Sequence, residues 1–212
     1  MGNIMSLMKN NSNYFIISSG SALFFEGDEA SCIFEILNGV CYTSNTLIDG
    51  SRQILSFFYK GYIIGISDGA AYHCDCVAAS EVKLRSYGKT TFFDTMHHSQ
   101  KSFEGFMQKI AENNRKMDRH VVMLGRKSGV EKMALFLCDA LDRQPSCASN
   151  KGRVQLPVRR TEIADFLGLT IETVSRCISL FKKEKLIDFN DSKDIEILNI
   201  GELRKVAKIP AD

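Results

Sequence analysis

Residues 160–179 read RTEIADFLGLTIETVSRCIS, and their spacing restricts the possible folds more than any other stretch of the chain. Counting Arg160 as the first place, Ala164 is fifth, Gly168 ninth and Val174 fifteenth. Two short helices crossing over a tight turn need these types. A small residue is required where the second helix passes closely, a glycine where the turn visits positive φ, and a branched apolar residue where the helices lock together. Ile163, Leu169 and Ile178 complete an inward-facing set. The spacing predicts a helix-turn-helix whose second helix runs from about Ile171 to Lys183.

Advancing about 100° per residue along that helix puts Val174, Cys177, Ile178 and Phe181 on one half and Glu172, Ser175, Arg176, Ser179 and Lys183 on the other. The outer half is wholly polar. Its first turns hold an acceptor, a hydroxyl and a guanidinium, the groups that read base edges in a DNA major groove, so Glu172, Ser175 and Arg176 are the expected base readers. Glu172 and Arg176, four apart, also match an exposed helical ion pair that would hold the arginine in place. Arg159, Arg160, Ser179, Lys182, Lys183, Lys185 and Lys193 are placed to contact phosphates, which sets affinity without sequence preference. Residues 186–189 and 195–198, joined by a turn at 190–193, predict a hairpin wing.

The front of the chain has another rhythm. Over residues 14–86, short alternating runs are broken at Glu26-Gly27-Asp28, Asn38-Gly39, Asp49-Gly50 and Lys60-Gly61. Asn-Gly and Asp-Gly favour hairpins because both turn residues of a tight hairpin want positive φ, so an antiparallel β-roll or barrel is expected. From about residue 99 to 124 the period becomes helical. Phe103, Phe106, Ile110, Asn113, Met117, His120 and Leu124 recur at alternating steps of three and four, the seam of a long helix pairing with its twin across a dimer axis. The competing reading is a helix packed on its own β-domain. A further amphipathic helix over residues 129–141 and a loop over 144–152 follow.

Composition adds boundaries. Residues 1–98 carry 6 Lys/Arg against 9 Asp/Glu, 99–124 carry 5 against 3 and 125–212 carry 16 against 13, so a mildly acidic front precedes a basic back. That polarity suits a sensor or scaffold joined to a polyanion-binding module. Seven cysteines form no C-x-x-C pair, and reduced thiols are expected. In His73-Cys74-Asp75-Cys76, strand alternation puts both sulfurs on one face, where ordinary packing is expected and no metal site. His97 and His98 read as solvent-exposed bystanders. Cys177 lies about 140° from Glu172 at the edge of the buried half, and its oxidation would add bulk beside the reading face. No apolar run approaches the roughly 18 residues of a membrane span, and a cytoplasmic protein without membrane association is expected. Met1-Gly2 with Ser6 fits a loose myristoylation pattern that has no meaning in a bacterial cytosol.

Leu167-Gly168-Leu169-Thr170-Ile171-Glu172-Thr173-Val174-Ser175-Arg176 resembles the recognition motif of the CRP/FNR superfamily, nearest its FNR and FixK branches. The likeness extends to Glu26-Gly27-Asp28, to Asp49-Gly50-Ser51-Arg52-Gln53-Ile54, to the long helix and to the winged end. It implies an α+β chain: a cupin-like β-roll of double-stranded β-helix type over 1–98, a dimerisation helix over 99–124 and a winged helix-turn-helix over 125–212. It also implies a homodimeric transcription regulator, not an enzyme, that contacts RNA polymerase. Members with Glu-x-x-Ser-Arg read palindromes resembling TTGAT-N4-ATCAA. Cyclic-AMP binding members carry Gly-Glu-Leu and Arg-Ser in the phosphate-binding segment, whereas the matching places here are Gly65-Ile66-Ser67 and Ala70-Ala71. Iron–sulfur members carry an N-terminal cysteine cluster, whereas the first cysteine here is Cys32. Neither cofactor is expected. A competing class is a small-molecule, redox or metal sensor whose winged domain mediates protein contacts; it would show no salt-dependent DNA binding.

Overall fold

The computed structural model describes residues 14–143, 152–156, 158–189 and 194–209. The Met1-Gly2 pattern, residues 144–151 of the loop expected over 144–152, the turn at 190–193 and Lys193 lie outside them. The front consists of β1 (Tyr14–Ile17), β2 (Ala22–Phe24), β3 (Cys32–Asn38), β4 (Cys41–Thr46), β5 (Arg52–Phe58), β6 (Ile63–Ile64), β7 (Asp75–Ala78) and β8 (Val82–Gly88). They form two antiparallel sheets, ordered β1-β8-β3-β6 and β2-β7-β4-β5. Alternate side chains of a strand point to opposite faces. Phe34, Ile36, Val82 and Leu84 of one sheet therefore meet Phe24, Cys41, Cys76 and Ala78 of the other in a common core. Ile33 and Tyr87 point the other way and pack with Phe92, Met96 and Phe106. Those three belong to α1 (Lys89–His97) and α2 (Gln100–Arg126).

The two turn signals behave differently. Asp49-Gly50 closes a hairpin, with Thr46 opposite Arg52 across β4 and β5. Asn38-Gly39 does not, because β3 pairs with β6 and β8 while β4 pairs with β5 and β7. This turn carries the chain from one sheet to the other. Gly39 has φ +87°, and a Cβ there would overlap the Glu81 carbonyl oxygen and sit 2.9 Å from the Val82 Cα. Close approach of two backbones, as well as positive φ, demands the glycine.

The chain forms two compact units, Met1–Arg119 and His120–Asp212, and the division falls inside α2. The second unit contains α3 (Gly129–Asp142), β9 (Arg153–Gln155), α4 (Arg160–Leu167), α5 (Ile171–Lys183), β10 (Ile187–Phe189), β11 (Asp194–Ile197) and α6 (Ile200–Val206). Ser128 opens α3 with a reciprocal capping box. Its hydroxyl accepts from the Glu131 N–H at 3.4 Å, and its own N–H donates to the Glu131 carboxylate at 2.8 Å. The expected wing hairpin is present as β10 and β11, with Ile187 opposite Ile197, and it gains a third strand from β9. At three residues, β9 is too short to register as periodicity.

Two positions of the seam expected along α2, Phe106 and His120, are corrected, because each packs within its own unit. Phe106 is only 7% exposed and packs edge-to-face on Phe92 at 5.5 Å. Asn113 is half-buried. His120 stacks on Phe166 with centroids 4.1 Å apart, and desolvation together with Lys132 pushes its pKa down to about 4, so the ring is neutral. Phe106 and His120 are thus occupied within their own units. Met107, Asn114 and Val121 instead join Phe103 and Met117 on an exposed stripe, with Ile110 and Leu124 half-buried along the same line. The new stripe also alternates by four and three. Apolar residues flank the common line on both sides, and the flank taken by the unit's own core leaves the other outward.

Replacing Gly39 with alanine combines backbone strain with a backbone overlap, and the front domain should lose about 2–4 kcal/mol. Urea unfolding followed by far-UV circular dichroism measures the loss, and an unchanged midpoint would contradict the close approach.

Candidate nucleic-acid interface

Glu162 is completely buried at the start of α4, where its carboxylate accepts from the Arg159 backbone N–H at 2.7 Å and from Arg159 Nε at 3.1 Å. The Arg159 guanidinium is thereby tethered while its side chain stays 65% exposed. Gly168 ends α4 in the left-handed region, φ +60° and ψ +47°. Ala164, 2% exposed, supplies the small residue the crossing needs. Thr170 then caps α5, its hydroxyl accepting from the Thr173 N–H at 3.2 Å.

In α5, Val174, Cys177, Ile178 and Phe181 are buried. Glu172, Arg176, Ser179, Lys182 and Lys183 are exposed and Ser175 is half-buried. The expected ion pair between Glu172 and Arg176 does not form among the described residues. The Glu172 carboxylate is instead held by a backbone N–H at the helix start and by the Thr170 hydroxyl, which keep its pKa below the usual value, with Arg176 the weakest contributor. A carboxylate is favoured at that end because the unpaired N–H groups of a helix N-terminus carry partial positive charge. Both groups project to solvent, one anionic acceptor beside one fork of donors.

The surrounding cations are not equivalent. Lys182 pairs with Asp188 at 3.0 Å on an exposed surface, and Ser179 donates back to the Ser175 carbonyl at 3.0 Å. Arg160, Lys183 and Lys185 are exposed. One residue escaped the sequence reading. Ile171, the first position of α5, is 44% exposed, a large apolar side chain next to Glu172. Its only signal was its place at the start of the helix.

Cys177 is 4% exposed, and burial pushes its thiol pKa up. Oxidation requires thiolate character and access, so this environment opposes the redox role considered for it. Cys74 and Cys76 are both buried, as expected of packing. Burial pushes the Cys74 pKa up to about 11, and the Cys41 thiol on the adjoining strand, together with burial, holds Cys76 protonated. Among the described residues, no group of three His, Cys, Asp or Glu side chains could hold a metal ion. His97 and His98 are exposed.

The front unit has its own cradle, about 210 Å3, between the sheets and α2. Along the segment at its rim, Ser67 donates to the Ala71 carbonyl at 2.6 Å and accepts from the Gly69 N–H at 3.2 Å. Tyr72 stacks on Phe24 at 3.8 Å and donates to the Cys32 carbonyl at 2.7 Å. The turn's amide is thus satisfied internally, and the Gly69 carbonyl accepts from Lys89 Nζ at 2.7 Å.

Residues 16–99 match the cyclic nucleotide-binding domain family, and residues 131–206 match the Crp-like helix-turn-helix domain family. The nitrogen fixation regulation protein FixK of Bradyrhizobium diazoefficiens is 31% identical over 80% of this chain and 72% of its own length. The transcriptional activatory protein AadR of Rhodopseudomonas palustris is 31% identical over 78% of this chain and 70% of its own length. The structure of FixK2 from Bradyrhizobium japonicum superposes with a TM-score of 0.87, covering 95% of this chain and 100% of that one at 24% identity. With a β-roll in front, a long central helix and a winged helix-turn-helix behind, the chain belongs to the CRP/FNR family of transcription regulators, alongside FixK-type and FNR-type members.

Proposed function

We propose that this regulator binds, as a homodimer, a palindrome resembling TTGAT-N4-ATCAA, with Glu172, Ser175 and Arg176 reading base edges. The observation that carries the reading is the outer face of α5, where an anchored carboxylate and an unpaired guanidinium stand exposed one turn apart. Arg176 suits guanine O6/N7, Glu172 suits cytosine N4, and Ser175 suits a neighbouring edge. Exposed Ile171 suits the C5-methyl of a thymine, as an apolar side chain at a recognition-helix N-terminus can. Arg159, Arg160, Ser179, Lys182, Lys183 and Lys193 serve the phosphates, with Lys182 first giving up Asp188.

Dimerisation is assigned to α2 through the exposed stripe of Phe103, Met107, Ile110, Asn114, Met117, Val121 and Leu124. The organisation is a sensor or scaffold over 1–98, a dimer helix over 99–124 and a DNA-binding domain over 125–212. The self-satisfied rim around Ser67 supports action without cyclic nucleotide. Contact with RNA polymerase in the cytoplasm, and activation as the output, follow from the likeness to relatives named as activators.

Fluorescence anisotropy with the palindrome and a scrambled duplex across a salt series tests the assignment. The palindrome alone should bind tightly, and Arg176→Ala should lose about 1–3 kcal/mol of that preference. Lys183→Ala should weaken both duplexes and lower the salt slope by about 1. Equal binding of both duplexes, or none, would oppose the assignment. In sedimentation, Val121→Arg should yield monomers that lose the palindrome. Phe106→Ala should instead destabilise the front domain by about 3–5 kcal/mol, which separates the two seam registers. Mild peroxide should leave DNA affinity unchanged, since Cys177 is buried; a loss that Cys177→Ser abolishes would restore its redox role.

A further inference from the structure

The stripe that α2 leaves outward can be lettered as heptads. From Phe103 its steps alternate four and three, and a step of four leads from a d position to an a position. Phe103, Ile110, Met117 and Leu124 are therefore d positions, and Met107, Asn114 and Val121 are a positions. Val121 at a with Leu124 at d is a combination that favours two parallel strands. Six of these seven side chains are apolar, and the exception, Asn114, stands in the middle. It is exposed, and among the described residues its carboxamide makes no hydrogen bond within the chain. Orientation in such seams is often set by ion pairs between g and e positions. Here the g positions are Phe106, Asn113 and a neutral His120, and the e positions are Glu104, Ala111, Asp118 and Gly125, so no opposite charges face each other across the seam.

We infer that Asn114 is the positioning residue of this seam: its carboxamide meets Asn114 of the partner subunit across the two-fold axis, and the match selects two identical chains, parallel and in register. The role rests on the assignment of dimerisation to the exposed stripe. A parallel pair in register stacks a on a and d on d, so the two amides meet and one donates to the carbonyl oxygen of the other. A slip of one heptad sets Asn114 against Met107 or Val121. Reversing one helix sets a positions against d positions, and Asn114 then faces Ile110 or Met117. Each alternative buries a carboxamide without a partner, which lowers association by about tenfold or more. The match costs affinity, because valine at the same place would bury more apolar surface. What it gives is discrimination: a helix with an apolar residue opposite Asn114 leaves the amide unmatched, so self-association is preferred over mixing.

Asn114 is exposed in the single chain, so substitutions there leave its fold intact. Asn114→Asp and Asn114→Lys put like charges face to face and should each weaken the dimer by about tenfold or more in sedimentation, while an equimolar mixture of the two should restore it. Asn114→Val should associate at least as tightly as the native chain but lose the single arrangement. Met107→Cys reports that arrangement, because parallel helices in register bring two thiols at this a position within disulfide reach, and slipped or reversed helices do not. In a glutathione redox buffer the Met107→Cys chain should cross-link to itself, and adding Asn114→Val should lower the cross-linked fraction by about twofold or more without loss of association. A native chain that sediments as a monomer overturns the stripe and Asn114 together. A native dimer that persists undiminished in Asn114→Asp and Asn114→Lys, or that cross-links equally with Asn114→Val, overturns the role of Asn114 alone.

Discussion

Four buried side chains on one face of α5, Val174, Cys177, Ile178 and Phe181, determine what its opposite face can present. A helix has one rotational setting once such a stripe is buried, since turning it would expose apolar area worth about 25 cal/mol per Å2. Gly168 and Ala164 set the other two degrees of freedom, the sharpness of the turn and the closeness of the crossing. Glu172, Ser175 and Arg176 share a side because their apolar neighbours have none to spare. The same burial accounts for Cys177, whose thiol adjoins the polar outer face in sequence but is enclosed in the packing beneath it.

Helix α2 has a divided allegiance. Phe106 closes the aromatic cluster of Phe92 and Phe93 in the front unit, while His120 stacks on Phe166 in the rear one. Because a heptad line leaves room for apolar residues on both flanks, a single helix can pack on its own domains and still keep a continuous outward stripe. The cationic groups are arranged on a third side, where Lys109 and Lys116 lean on the β5–β6 turn. Packing inward and the proposed pairing therefore use different faces of one cylinder.

The front unit is held in shape by bonds made within itself. Its two sheets and the long helix keep the architecture of the cyclic nucleotide-binding domain family. Inside it, Ser67 closes its own turn and Tyr72 stacks on Phe24. An aromatic pair and a hydroxyl turn stabilise the roll from within.

Patterns that repeat within one element were legible in the chain itself. The helix-turn-helix follows from Ala164, Gly168 and Val174, the bounds of α5 from a polar face alternating with an apolar one, and the β-roll from short runs punctuated by glycine. These are local, because propensity, periodicity and turn chemistry act over a few residues. Everything that depended on which elements meet had to come from the tertiary structure. Asn38-Gly39 has the letters of a hairpin but joins two sheets, and only the approach of Glu81 and Val82 reveals that. The α2 stripe could run through Phe106 or Met107 until the core of the front unit took Phe106. The strand β9 was too short to signal its own existence. The sequence alone determined the helix-turn-helix and which residues its reading helix could offer; the partners of each face were decided only when the chain closed on itself, since burial is a property of neighbours that local order does not encode.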